Sequence, residues 1–200
     1  MGIKFEKIKA QGKIVNLKQK NIFLVGPMGA GKSSVGKYLA AQLNMDFYDT
    51  DEEIEKRTGV DIGWIFDVEG EMGFRKREEA VVFELANLSN IILATGGGTI
   101  LSPESRVILH NNGAVIYLEV SLRYQQVRTV NDSRRPLLRV ENRQEVLEKL
   151  QGERESLYQE IADFRVLTDK RNVRAVADDI IHWLESVDNG FAGGKKRQYP

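Results

Sequence analysis

The sequence predicts an α/β fold, a parallel sheet with helices on both faces, and three observations carry that expectation. Short apolar runs alternate with longer amphipathic stretches along most of the chain. The first clear apolar run leads directly into a glycine loop and then a helical pattern. Two later runs end in Asp49-Thr50-Asp51 and in Gly96-Gly97-Gly98, and ligands of open α/β sheets gather at the carboxyl ends of strands.

The elements follow in order. Asn21-Ile22-Phe23-Leu24-Val25 reads as a buried strand, and Val35, Leu39, Ala40 and Leu43 recur at helical spacing after it, predicting a helix over 32–43. Further strands are expected at 45–48, 91–95, 114–118 and 164–168. Helices are expected at 51–57, 61–67, 71–88, 103–110, 121–130, 142–160 and 172–187. Ser102 before Pro103 has the form of an N-cap with proline in the first turn, and Asn111-Asn112-Gly113 has the form of that helix's stop. A domain over 21–187 results, with a lid at about 130–142. Residues 1–20 form an N-terminal extension that alternates lysine with apolar residues without a sustained period, leaving an extra strand or a disordered leader open. Residues 188–200 are glycine-rich and charged, and a disordered tail is expected there.

Composition excludes several chemistries. With 42% hydrophobic residues, the 200-residue chain can bury one good core. Charge is balanced, 29 basic against 29 acidic, so no global field favours nucleic acid or an anionic membrane. There is no cysteine, hence no disulfide, thiolate metal site or thiol nucleophile. His110 and His182 both sit in helix-like, partly apolar contexts, so histidine catalysis is not expected. No apolar run approaches the roughly 20 residues of a membrane span, and residues 1–6 lack a signal-peptide core. A soluble cytoplasmic protein, monomeric and without a membrane or nucleic-acid partner, is the expectation.

The glycine loop carries the first chemistry. Gly26-Pro27-Met28-Gly29-Ala30-Gly31-Lys32-Ser33 fits the phosphate-cradling pattern G-x-x-x-x-G-K-[ST]. Its glycines allow a tight turn whose N–H groups converge on phosphate oxygens, at a helix N-terminus that favours an anion. Lys32 can then reach the β- and γ-phosphates, and the Ser33 hydroxyl can ligate Mg²⁺. A plain strand-to-helix turn is the alternative, and the flanking strand and helix weigh against it.

Five other segments are ambiguous one by one. In Asp49-Thr50-Asp51 one carboxylate could serve magnesium and the other a substrate hydroxyl; or Thr50 or Asp51 could simply cap the acidic helix that follows. Thr95-Gly96-Gly97-Gly98-Thr99 suggests a backbone that approaches something closely, or else an ordinary flexible loop. Arg75 could bind a ligand or pair with Glu78 or Glu79 on its own helix. Ser133-Arg134-Arg135-Pro136 could be a lid that closes over a phosphoryl-transfer site, or an exposed loop; Arg154 could bind a ligand or lie on a solvated charged face.

Their order resolves the ambiguity. The phosphate loop, D-T-D, F-R-x-x-E, G-G-G, R-P-L-L and E-R-x-x-L-Y together resemble shikimate kinase, from about Asn21 to Glu185. GPMGAGKS followed by FYDTD and LATGGG is similar to the bacterial members in particular. The resemblance implies a P-loop NTPase of the nucleoside-monophosphate-kinase type: three layers, a five-stranded parallel sheet in the order 2-3-1-4-5, and a mobile lid. It implies ATP-dependent phosphorylation of the shikimate 3-hydroxyl on the route to chorismate and aromatic amino acids, with Mg²⁺ as cofactor. By the same resemblance Gly29, Ala30, Gly31, Lys32, Ser33 and Ser34 hold the ATP phosphates, with Ser33 and Asp49 at the metal. Asp51 binds the attacking hydroxyl as candidate general base, and Arg75 and Arg154 clamp the substrate carboxylate beside Gly96, Gly97 and Gly98. Arg135 reaches the phosphates from the lid, Arg128 packs near adenine, and the loop around Arg171 and Asn172 closes the base pocket. The rivals are a related small-molecule kinase of the gluconate kinase type and a nucleotide-binding regulatory module without catalysis. The extension before Asn21 and the tail after Glu185 have no place in the family pattern.

Overall fold

Five short strands, joined in sequence through helices, pair into a single parallel sheet in the order β2-β3-β1-β4-β5. They are β1 (Asn21–Val25), β2 (Asp46–Asp49), β3 (Ile91–Ala94), β4 (Gly113–Glu119) and β5 (Phe164–Leu167). The computed structural model describes residues 8–10, 13–15, 21–130, 137 and 142–188. Ile8–Ala10 and Lys13–Val15 pair antiparallel in a two-stranded sheet of their own.

Alternation in β1 explains the three layers. Phe23 and Val25 point into one apolar core, which they share with Ile54, Ile65, Phe74, Leu85, Leu109 and Tyr158. Ile22 and Leu24 point into the other, with Leu39, Val176, Ala177 and Ile180. A strand buried on both faces has no polar side to show, which is why these runs are continuously apolar. Helices α1 (Lys32–Leu43) and α7 (Val173–Asp188) cover the second face. Helices α2 (Thr50–Thr58), α3 (Ile62–Ala86), α4 (Pro103–Asn112) and α6 (Arg143–Ile161) contribute to the first core. A short helix, α5 (Leu122–Thr129), follows β4.

The expected sheet order is the observed one, and the boundary differences have local causes. Met45 falls outside β2 because its N–H, at 3.0 Å from the Ala40 carbonyl, closes the end of α1 after the left-handed Asn44 (φ 52°). The two helices expected at 61–67 and 71–88 are both found within α3, separated at Gly70, where φ 71° and ψ 178° break the helical path. Ser102 does cap α4, accepting from the Ser105 N–H at 3.0 Å with Pro103 in the first turn.

Register then positions the functional loops. Asp49 at the end of β2 is paired with Ala94 of β3, and Ala94 with Leu24 of β1. The glycine loop, Asp49-Thr50-Asp51 and the triple glycine therefore leave the sheet side by side at its carboxyl edge. Arg135 and the lid segment containing it lie outside the described residues.

Candidate active site

The glycine loop is fixed by close packing from three sides. Gly26 has φ 142°, and a Cβ there would lie 2.4 Å from the Leu118 carbonyl oxygen, so β4 leaves room for glycine only. Gly29 (φ 76°) lies against α5, within 3.4 Å of the Gln125 Cα for an added Cβ. Gly31, at φ 90°, is the left-handed residue that turns the loop into α1. Lys32 folds over the loop it closes, donating from Nζ to the carbonyls of Gly26 (2.7 Å) and Pro27 (2.9 Å). Ser34 is exposed in the first turn of α1. Arg128 ties the loop to the far side of the sheet: Nη1 donates to the Gly29 carbonyl at 2.9 Å and to Thr168 Oγ1 at 3.0 Å, and Nη2 to the Thr168 carbonyl at 2.7 Å.

Asp49 has two tasks, one on each oxygen. Oδ1 accepts from the Asp51 N–H at 3.0 Å and caps α2, while Oδ2 accepts from the Ser33 hydroxyl at 2.5 Å. Capping is thus done by Asp49 rather than by Thr50 or Asp51. Thr50 is fully buried, and its hydroxyl accepts from the Gly96 N–H at 2.8 Å. The capping bond locks the carboxylate so that its second oxygen faces the end of the phosphate loop. Two hard oxygen donors held that close suit Mg²⁺, which takes few protein ligands and completes its shell with water and phosphate. Among the described residues no cluster of three or more acidic or histidine ligands exists, and such a site does not require one.

The opposite wall is made of side chains. Arg75 donates from Nη1 to Glu78 at 2.7 Å and from Nη2 and Nε to Glu71 at 2.9 and 3.3 Å. Its expected partner Glu78 is therefore present, Glu79 is not used, and Glu71 is a third member. Burial pulls the Arg75 pKa down, but the Glu78 and Glu71 carboxylates outweigh it and the net shift is upward. Gly98 makes the space for this guanidinium, since a Cβ there would fall 2.2 Å from Arg75 Cζ. Gly96 does the same for Glu78, where a Cβ would clash with Oε1, and would lie 3.3 Å from Asp51 Oδ1. A Cβ on Gly97 would stand 3.6 Å from both the Gly26 carbonyl oxygen and the Met28 nitrogen, and 3.7 Å from Arg154 Nη1. The triple-glycine loop is the seam between the phosphate loop and the two arginines.

Arg154 is 4% exposed, and its Nε is buried with no hydrogen-bond partner. A solvated helix face is excluded by that burial; a buried guanidinium with a spare donor is equipped for an anion. Arg171 is different, because its guanidinium is turned onto α7, with Asp179 at 2.6 Å and the Ala175 carbonyl at 2.8 Å. Asn172 caps that helix through the Ala175 N–H at 2.8 Å. The 168–172 loop still meets the phosphate loop, through Thr168 and Arg128.

Sequence reasoning named Glu78 only as a helix-face partner of Arg75 and gave Tyr158 and Thr99 no role of their own. Glu78 (2% exposed) holds Arg75 with one oxygen and accepts from the Thr99 hydroxyl at 2.8 Å with the other. Tyr158 donates to the Gly97 carbonyl at 2.5 Å and stacks on Tyr117 with ring centroids 5.1 Å apart. The i+3 spacing of Arg75 to Glu78 and the i+4 spacing of Arg154 to Tyr158 were available as signals. Nothing in the sequence points to Thr99.

Comparison with known proteins adds an independent finding. The shikimate kinase family matches residues 28–185. Shikimate kinase 1 of Enterobacter sp. (strain 638) is 59% identical over 169 residues, which cover 84% of this chain and 98% of that protein. The solved shikimate kinase from Acinetobacter baumannii, in complex with shikimate, superposes with a TM-score of 0.83 at 44% identity, covering 84% of this chain and 94% of that one. A gluconokinase from Sinorhizobium meliloti 1021 shares 15% identity at a TM-score of 0.54, over 86% of this chain and 95% of its own, which is a likeness of fold alone.

Proposed function

The chain belongs to the shikimate kinase family, and from that premise we infer that it transfers the γ-phosphoryl group of ATP to the 3-hydroxyl of shikimate. The products are 3-phosphoshikimate and ADP, on the route to chorismate and the aromatic amino acids. One observation carries the reading beyond a nucleotide site: the phosphate loop meets, across the triple glycine, two arginines and Asp51, a set suited to a small hydroxylated acid. The gluconate kinase alternative has only the shared fold behind it, and a regulatory module has no use for a buried arginine beside the phosphate loop.

The residues divide the work as follows. The N–H groups of Gly29 to Ser34 receive the ATP phosphates at the start of α1, and Lys32 exchanges its carbonyl partners for phosphate oxygens. Ser33 and Asp49 would hold Mg²⁺, which when bound neutralises charge on the β- and γ-phosphates. Arg75 and Arg154 fix the substrate carboxylate, arginine's planar fork matching two oxygens at once. That anchoring directs the 3-hydroxyl towards Asp51. As the hydroxyl oxygen bonds to the γ-phosphorus and the bond to the β-phosphate oxygen breaks, Asp51 accepts the hydroxyl proton. Arg128 bridges the phosphate loop and the 168–172 loop, where adenine would lie, and Arg135 is assigned to the phosphates from the lid; Arg171 serves that pocket through its loop, its guanidinium being held by Asp179.

No helix among the described residues is long and apolar enough to cross a membrane. A cytoplasmic monomer is the form we assign, and sedimentation of the purified chain tests the stoichiometry. The activity is tested by ADP release in parallel reactions with shikimate, gluconate and nucleoside monophosphates. ADP formation stimulated by shikimate alone is expected. Stimulation by gluconate instead, or ATP binding with no stimulated turnover, would overturn the assignment.

A further inference from the structure

The two carboxylates on Arg75 are unlike each other. Glu78 is buried, with its side chain 2% exposed, and is anchored a second time by the Thr99 hydroxyl, so it is a fixed part of the wall. Glu71 lies one helical turn before Arg75, its side chain is 49% exposed, and a single oxygen, Oε1, takes both bonds from the Nε and Nη2 edge. That edge, two parallel N–H donors in one plane, is the face with which arginine grips a carboxylate. Glu71 also borders an open recess of about 400 Å³ beside Met72, Gly98 and Thr99, so its carboxylate can leave without steric cost.

We propose that Glu71 is an internal competitor for the substrate carboxylate, holding the Nε and Nη2 edge of Arg75 until shikimate displaces it. The proposal rests on the reading of Arg75 as a carboxylate-binding arginine. Its physical content is an exchange of one carboxylate for another on the same donors. The enzyme keeps the guanidinium oriented and its charge compensated at all times, and substrate affinity is set by the difference between two similar contacts. Glu78 maintains the orientation throughout; Glu71 tunes the affinity. An exposed pair of this kind is weak, which makes it replaceable by a substrate.

The experiment is Glu71→Gln, which keeps size and polarity and removes the charge, assayed beside Arg75→Ala. With the competitor neutralised, KM for shikimate falls about two- to fivefold, the factor that corresponds to an exposed ion pair, while KM for ATP does not move. Calorimetric titration with shikimate reports the same tightening, and the uncharged methyl ester of shikimate shows none. An unchanged or raised KM for shikimate in Glu71→Gln overturns the proposal, including the case where only thermal stability drops. Arg75→Ala separates the two levels of inference. If it leaves KM for shikimate intact, the assignment of Arg75 itself is wrong; if it raises KM and Glu71→Gln does not lower it, only the competition is refuted.

Discussion

The donor and acceptor halves proposed for the site are built by different means. The donor half is one contiguous stretch, Gly26 to Ser33, whose work is done mostly by backbone in conformations that glycine alone adopts easily. The acceptor half is assembled from four separated segments, Asp51 on α2, Arg75 on α3, the triple glycine after β3 and Arg154 on α6. Its work is done by side chains, each held by a neighbour: Arg75 by Glu78, Glu78 by Thr99, the Gly97 carbonyl by Tyr158. A phosphate is the same in every nucleotide and can be met by a fixed backbone shape. A particular hydroxylated acid needs charges and donors at particular points, and those come from wherever the fold can bring them.

If that division is right, losses in the donor half abolish turnover outright. Lys32→Ala removes the one side-chain cation of the loop, and turnover falls roughly 10³-fold or more, measured as ADP release at saturating substrates. Near-normal turnover would refute the phosphate-site assignment. Asp51→Asn probes the point where the halves meet. Its expected loss in kcat, roughly 10²-fold or more, far exceeds any change in ATP affinity. The reverse ranking would move Asp51 away from the reacting hydroxyl.

Glycine replacements sharpen the comparison, because the same change strains the halves for different reasons. Gly31→Ala meets no atom within 4 Å, so its cost is the left-handed backbone at φ 90°, about 1–2 kcal/mol, and it appears in KM for ATP. Gly98→Ala has no positive φ to violate, but its Cβ lands 2.2 Å from the Arg75 guanidinium. Arg75 must move, and KM for shikimate rises about tenfold, a cost near 1.4 kcal/mol, with KM for ATP nearly constant. Steady-state kinetics with each substrate varied in turn decides whether the two defects separate. If both glycines perturb the same substrate, the halves are not independent.

The same contrast explains what could be read from the sequence. The sheet was legible because a strand buried on both faces is apolar throughout, and the Ile22 to Val25 run shows it. The donor loop was legible because spacing along the chain is its geometry. The acceptor arginines carried no such local signature. Arg75 and Arg154 each sit in a charged helical context, and only the order of motifs along the chain singled them out. That Arg154 is buried, that Asp49 caps α2 with one oxygen while meeting Ser33 with the other, and that Thr99 holds Glu78 depend on long-range contacts. The break at Gly70 was legible as well, as the gap between the helical patterns expected at 61–67 and 71–88.

The smallest expected effect concerns the tyrosines behind the seam. Burial raises the pKa of Tyr158, with Arg154 pulling the other way, and burial followed by the Glu155 contact raises that of Tyr117. Both phenols thus keep their protons in the folded chain above pH 10, where an unfolded tyrosine loses its own. The unfolded state then binds fewer protons than the folded one, so stability present below pH 10 declines as pH rises beyond it, by up to about 1.4 kcal/mol per pH unit for each phenol. Tyr158→Phe removes one of these groups together with the hydrogen bond to the Gly97 carbonyl. Near pH 8 the variant is less stable by about 1 kcal/mol, and its alkaline decline is shallower, so the gap to the parent narrows above pH 10. Urea unfolding at both pH values measures the two slopes. KM for shikimate rises modestly while KM for ATP does not, because Gly97 faces Arg154 and the phosphate loop together but only its carbonyl is released. A gap that stays constant with pH would mean that the Tyr158 phenol titrates alike in the folded and unfolded chain, and the hydrogen bond to Gly97 alone would account for the loss.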